Sequence, residues 1–83
     1  MKTKVRLFAM LREKAGTPEL ALELPEASTV ADLRAEMIRR FPGLPVSAPT
    51  TMVAVNAEYA EETHLLHDGD EVALIPPVSG GAL

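Results

Sequence analysis

Two early segments of the chain alternate polar and apolar residues. Residues 4–7 read Lys-Val-Arg-Leu, and residues 19–24 place a leucine at every second position. Successive side chains of a strand point to opposite faces of a sheet, so this period predicts two half-buried strands. Residues 9–15 between them are rich in helix formers and stop at Gly16, which predicts a short helix.

A longer helix is predicted to begin after Thr29. Thr29 is a suitable N-cap, and Asp32 stands three positions later in an arrangement like a capping box. The apolar residues that follow share one helical face: Val30, Leu33, Met37 and Phe41. We expect the opposite face to meet solvent: Arg34, Glu36, Arg39 and Arg40.

The second half of the chain predicts the remaining strands. Residues 51–55 form a buried strand and residues 71–75 the last strand, with a turn at Asn56, a short polar strand within residues 58–62 and a helical turn over residues 64–67. The predicted fold class is therefore α+β, with one main helix across a mixed sheet of about five strands. The predicted core comprises Val5, Leu7, Leu22, Val30, Leu33, Met37, Phe41, Val53, Val55, Leu65, Val72 and Leu74.

The end of the chain changes character after Ile75. Pro76 and Pro77 cannot donate to a sheet, and Gly80 and Gly81 impose almost no backbone preference. We expect one domain over residues 1–76 and a flexible tail over residues 77–83.

Composition narrows the function classes. The 83 residues are 47% hydrophobic and include no cysteine, so we expect one aliphatic core in a reducing, cytoplasmic setting. All eight basic residues and six of the twelve acidic ones lie within residues 1–40, which leaves a charge of −6 on residues 41–83. That acidic half argues against nucleic acid, and no apolar run approaches the roughly 20 residues that span a membrane.

Clusters that could carry chemistry are sparse. His64 and His67 would lie on one side of a helical turn, but no third metal ligand is indicated. Asp68, Asp70 and Glu71 follow the pattern of a tight corner and lack the ligand spacing of a calcium loop. Neither a nucleophile–base pattern nor a phosphate-binding loop is present. We expect no catalytic residue, no metal and no cofactor.

The most specific pattern lies at residues 66–81. They read Leu-His-Asp-Gly-Asp-Glu-Val-Ala-Leu-Ile-Pro-Pro-Val-Ser-Gly-Gly, which closely resembles the end of molybdopterin synthase small subunits, and residues 4–9 and Val55-Asn56 look similar too. The resemblance covers residues 1–81 and implies a β-grasp fold and a sulfur carrier that catalyses nothing alone.

The resemblance also implies the chemistry of the tail. An ATP-dependent, E1-like activating enzyme would adenylate Gly81, sulfur would replace AMP to give a thiocarboxylate, and the large synthase subunit would transfer that sulfur to cyclic pyranopterin monophosphate in molybdenum cofactor biosynthesis. The tail that presents Gly81 would consist of Pro77, Val78, Ser79 and Gly80.

Three apolar residues are candidates for the partner interface. Phe8 and Ile75 are one residue out of phase with the inward strand positions, so they should point away from the helix. Tyr59 stands where the resembling family has an apolar contact residue. We expect these three to contact the large synthase subunit; the alternative is that loops bury them.

Carriers of the resembling family end at the second glycine, whereas Ala82 and Leu83 follow Gly81 here. We expect a protease to remove both residues; alternatively, the activating enzyme tolerates them, or the chain binds partners without carrying sulfur. Two other functions stay open: a ubiquitin-like modifier joined to lysines through Gly81, and a sulfur carrier for thiamine or tRNA thiolation.

Overall fold

The computed structural model describes residues 1–46 and 51–76. They form strands β1 (Lys2–Leu7), β2 (Glu19–Glu23), β3 (Met52–Val55), β4 (Glu58–Tyr59) and β5 (Glu71–Ile75), and helices α1 (Ala9–Ala15) and α2 (Val30–Arg40). The strands make one sheet in the order β2-β1-β5-β3-β4. β5 runs parallel to β1 and antiparallel to β3. The predicted mixed sheet with one main helix, a β-grasp architecture, is confirmed.

The start of α2 is capped as predicted. The Asp32 N–H donates to Thr29 Oγ1 at 3.3 Å, and the Thr29 N–H donates to Asp32 Oδ2 at 2.9 Å. These reciprocal bonds complete a capping box. The first two amides of the helix donate to the carbonyls of His64 and Glu62, both at 3.0 Å. The helix start therefore also holds the segment that follows β4.

One face of the sheet packs against α2. The inward strand positions, the apolar face of α2 and Leu11 of α1 form one core. Most of the predicted core is buried: Val5, Leu7, Leu22, Val30, Leu33, Met37, Val53, Val55, Val72 and Leu74. Phe41 is only partly buried and packs against this core. Five further leucine or valine side chains in short or irregular segments are buried as well: Leu11, Leu24, Leu44, Val46 and Leu66.

The predicted helical turn over residues 64–67 is wrong. Leu65 instead forms an antiparallel bridge with Thr29, and the Leu66 N–H donates to the Ser28 carbonyl at 2.9 Å. Leu65 is consequently 50% exposed, while Leu66, at 2%, occupies the core. The physical reason is the start of α2, whose free amides need carbonyl acceptors that a separate helical turn would keep for itself.

Arg34 is buried, contrary to the prediction that it meets solvent. The residue is 7% exposed, and its guanidinium donates to the carbonyls of Val46 and Thr51 at 2.7 and 2.8 Å. It also forms a bidentate ion pair with Glu62, in which Nε lies 3.1 Å from Oε1. The hydrogen bonds from Arg34 hold the pKa of the Glu62 carboxyl below its ordinary value. One cation thus connects α2, the residues on both sides of residues 47–50 and the segment after β4.

Replacing Arg34 should test this connection. Arg34→Met keeps much of the side-chain volume but leaves two buried carbonyls without a donor, so we expect a loss of about 2–4 kcal/mol in the free energy of unfolding. Urea denaturation measures it. Arg39→Met is the matched control: Arg39 has a 69% exposed side chain that pairs with Glu36, so we expect little or no change in the free energy of unfolding. Equal losses in both variants would show that Arg34 is not a structural tie.

Candidate functional site

The sequence continues from β5 into the predicted tail, and β5 is the central strand of the sheet. Val72 and Leu74 are 0% exposed in the core, and Pro76, directly after the strand, is buried. The predicted tail residues lie outside the described residues: Pro77, Val78, Ser79, Gly80 and Gly81. The chain beyond Pro76 is therefore attached at the middle of the sheet and not at an edge.

The face of the sheet opposite α2 is apolar along β3, β4 and the part of β5 from Ala73 onward. Ala73 and Ile75 alternate with the core positions of β5, so they lie on this open face. The strand register places Met52 beside Ile75, Ala54 beside Ala73, and Tyr59 beside Ala54. Partners in an antiparallel pair share a face, so all five side chains lie on the same side of the sheet.

Phe8 joins the same face from the end of β1. It follows Leu7, which is the last residue of β1 to pair with β5. Its ring centroid lies 5.8 Å from the guanidinium carbon of Arg6, whose register partner on β5 is Ala73. The attraction between a cation and an aromatic ring therefore favours a Phe8 position on the open face.

These residues form an exposed patch beside the end of β5. Tyr59 is 69%, Met52 50% and Phe8 40% exposed, and Ile75 is partly exposed. We call Phe8, Met52, Tyr59 and Ile75 the open-face patch. The structure thus places the three candidate interface residues on one face, and their role as an interface stays a prediction. The sequence did not identify Met52 as an outward residue, because all four residues of β3 are apolar and their pattern does not indicate which side chains point outward.

The other half of the open face is charged. Lys4 Nζ lies 4.0 Å from a carboxylate oxygen of Glu19, and Arg6 Nη1 lies 3.5 Å from Glu71 Oε2. Such exposed pairs contribute only about 0–1 kcal/mol each, so they add little to the fold. They form a polar border along one side of the open-face patch.

The acidic residues before β5 support its corner. The Asp68 carboxylate accepts the Lys2 N–H at 2.7 Å, and the Asp70 carboxylate accepts the His67 N–H at 2.7 Å and the Asn56 side-chain amide at 3.0 Å. Burial acts to raise the pKa of the Asp70 carboxyl, but the hydrogen bonds from His67 and Asn56, together with charge interactions with His67 and His64, hold that pKa below its ordinary value. These carboxylates therefore serve the fold.

Neither a metal centre nor a membrane span is found in the part of the chain that the structure describes. Residues 1–46 and 51–76 contain no group of three or more His, Cys, Asp or Glu side chains that could hold a metal ion. No helix within these ranges has the length and apolarity to cross a bilayer.

Comparison with known proteins gives a consistent set of similarities. Residues 5–81 match the ThiS family. The molybdopterin synthase sulfur carrier subunit of Chlamydomonas reinhardtii is 43% identical, over 98% of this chain and 100% of that protein. Small archaeal modifier protein 1 from Haloferax volcanii has a TM-score of 0.87 and 31% identity, over 98% of this chain and 100% of that one. In the complex of subunits 1 and 2 of molybdopterin-converting factor from Helicobacter pylori, one chain matches with a TM-score of 0.69 and 27% identity, over 98% and 100% of the two chains.

Proposed function

The chain belongs to the ThiS family, and we propose that it acts as the non-catalytic sulfur carrier subunit of a molybdopterin synthase. The observation that carries the proposal is the relationship to a sulfur carrier subunit over nearly the whole chain, through Gly81. The position of β5 supports it, because a central strand gives the following segment a firm attachment. Such a carrier needs to supply no acid, base or cofactor of its own.

In the proposed cycle, Gly81 is the residue whose bonds change. Its carboxylate oxygen attacks the α-phosphorus of ATP in an E1-like activating enzyme, which forms an acyl-adenylate and releases pyrophosphate. A donor of sulfide then attacks the acyl carbon, AMP leaves, and a thiocarboxylate remains. The large synthase subunit provides the site where that sulfur passes to cyclic pyranopterin monophosphate. Glycine suits this position because no side chain obstructs the acyl carbon.

The distance from the sheet to Gly81 limits where a partner can place its active site. Gly81 stands five residues beyond Pro76, so an extended chain carries it about 17 Å from Pro76, the residue that follows β5. In the proposal, Pro77, Val78, Ser79 and Gly80 span that distance. A partner that docks beside the end of β5 keeps the reacting carbon at high local concentration in its site.

We propose that the large subunit docks on the open-face patch through Phe8, Tyr59 and Ile75. The patch is apolar, exposed and adjacent to the strand from which the tail departs. Exposed apolar patches of this kind mark protein interfaces, and large side chains at their centre carry most of the binding energy. The Helicobacter pylori complex supports a large subunit as the partner.

Charge substitutions should test the docking surface. Phe8→Glu and Ile75→Glu are each expected to weaken binding of the cognate large subunit by at least about tenfold, because docking would bury an unpaired carboxylate. Isothermal titration calorimetry measures the affinity. Ile38→Glu is the matched control, since Ile38 is a 42% exposed apolar residue of α2, outside the sheet. Unchanged affinity of the two sheet variants, with their unfolding temperature retained, would place the interface elsewhere.

We also propose that a protease cuts after Gly81 before activation. Because Ala82 and Leu83 follow Gly81, the carbonyl of Gly81 belongs to a peptide bond and offers no carboxylate to ATP. In a form that ends at Leu83, the terminal carboxylate would lie about 7 Å farther along the extended chain and beside an isobutyl side chain. The extension therefore opposes activation.

Pyrophosphate exchange should test this order of events. With the cognate activating enzyme, a form of residues 1–81 should support ATP–pyrophosphate exchange at least about a hundredfold faster than a form of residues 1–83, because a small misplacement of the reacting group is costly. A form of residues 1–80 is the control for reaction at Gly81 and should be inactive. Equal rates for the 1–81 and 1–83 forms would contradict the processing step.

The likeness to small archaeal modifier protein 1 favours a second candidate function. If a lysine amine attacked the acyl-adenylate in place of sulfide, an amide would join Gly81 to another protein, as in a ubiquitin-like modifier. Both candidate functions use the same glycine and the same kind of activating enzyme. The covalent product at Gly81, a thiocarboxylate or an amide, distinguishes the two functions.

A further inference from the structure

We propose that Met52 is an oxidation site that controls docking on the open-face patch. Conversion of its thioether to the sulfoxide weakens binding of the large subunit, and reduction restores it. This inference rests on the proposed function, because it concerns the partner that the patch would bind.

The position of Met52 exposes its sulfur to oxidants and places it within the open-face patch. The residue is 50% exposed, so a small oxidant reaches the thioether in the folded domain. It lies on β3 beside Ile75, and Tyr59 pairs with Ala54 two positions along the same strand. A partner that covers Ile75 and Tyr59 therefore also covers the sulfur.

The chemistry requires a peroxide and no other reactant. The sulfur attacks one oxygen of hydrogen peroxide, the O–O bond breaks and an S–O bond forms. The second oxygen takes the proton of the first and leaves as water, so the sulfur loses two electrons and the peroxide gains them. The sulfoxide is polar, and methionine sulfoxide reductases reverse the change. In a docked complex its oxygen would be buried among apolar side chains without a donor, which disfavours binding.

The positions of the other methionines allow an effect of oxidation on docking to be separated from an effect on folding. Met37 is 0% exposed in the core, and the side chain of Met1 is 1% exposed, so both are protected from oxidant. Met10 is 42% exposed on α1, outside the paired strands. Peroxide should therefore oxidise both Met10 and Met52, but only Met52 belongs to the open-face patch. Because its side chain is already half in water, oxidation of Met52 should leave the unfolding temperature nearly unchanged.

The test compares the full chain with two variants, Met52→Leu and Met10→Leu, before and after treatment with dilute hydrogen peroxide. Peptide mass mapping confirms sulfoxide at the intended position, and calorimetry measures affinity for the cognate large subunit. We expect about a tenfold loss of affinity for the wild-type chain and for Met10→Leu, and no loss for Met52→Leu. Methionine sulfoxide reductase supplied with a dithiol, which gives up two electrons and two protons as the sulfoxide oxygen leaves as water, should restore the affinity. Met52→Gln should weaken binding without oxidant.

Two results would overturn the inference. One is unchanged affinity of a wild-type chain that carries sulfoxide at Met52; the other is an equal loss for oxidised Met52→Leu. Failure of the reduced wild-type chain to bind any large subunit would instead overturn the docking proposal itself, so the two failures are distinguishable.

Discussion

The central position of β5 is the constraint on which the rest of the structure depends. β5 is hydrogen-bonded to β1 on one side and to β3 on the other, and its parallel pairing with β1 requires a long crossover between them. That crossover includes α2, which covers one face of the sheet and buries Val72 and Leu74. The opposite face stays apolar and exposed beside the point where the chain leaves the sheet. The firm attachment of the segment after β5 and the exposed apolar patch beside it thus follow from one topological feature.

Arg34 gives the second half of the domain a similar constraint. A buried cation is costly unless its donors are satisfied, and here the acceptors come from three separate places in the chain: Val46, Thr51 and Glu62. The chain must therefore bring α2, the start of β3 and the segment after β4 together before Arg34 is satisfied. This requirement helps to fix β3 and β4, the strands that carry Met52 and two other residues of the apolar half of the open face.

Features with local causes could be predicted from the sequence, and features with distant causes could not. The capping box of Thr29 and Asp32 and the period-two pattern of β1 and β2 depend on near neighbours, so α2, β1 and β2 were predictable to within a residue or two. Arg34 looks like a polar-face arginine because its acceptors are 12, 17 and 28 residues away. Leu65 was expected in the core, but Leu66 is buried in its place because the segment pairs with Thr29 at the start of α2. Met52 was hidden within an apolar run, although the phase of the strands placed most of the candidate interface correctly on one face.

The central claim is that Gly81 carries sulfur, and intact-mass analysis of the chain recovered from its native cells tests it most directly. The account predicts a form that ends at Gly81, in which one oxygen of the terminal carboxylate is replaced by sulfur, and predicts that this form accumulates when the large subunit is absent. If the chain instead occurs without any thiocarboxylate, and its activated fraction is found only as amides between Gly81 and lysines of other proteins, the sulfur carrier account is contradicted and the modifier function is supported.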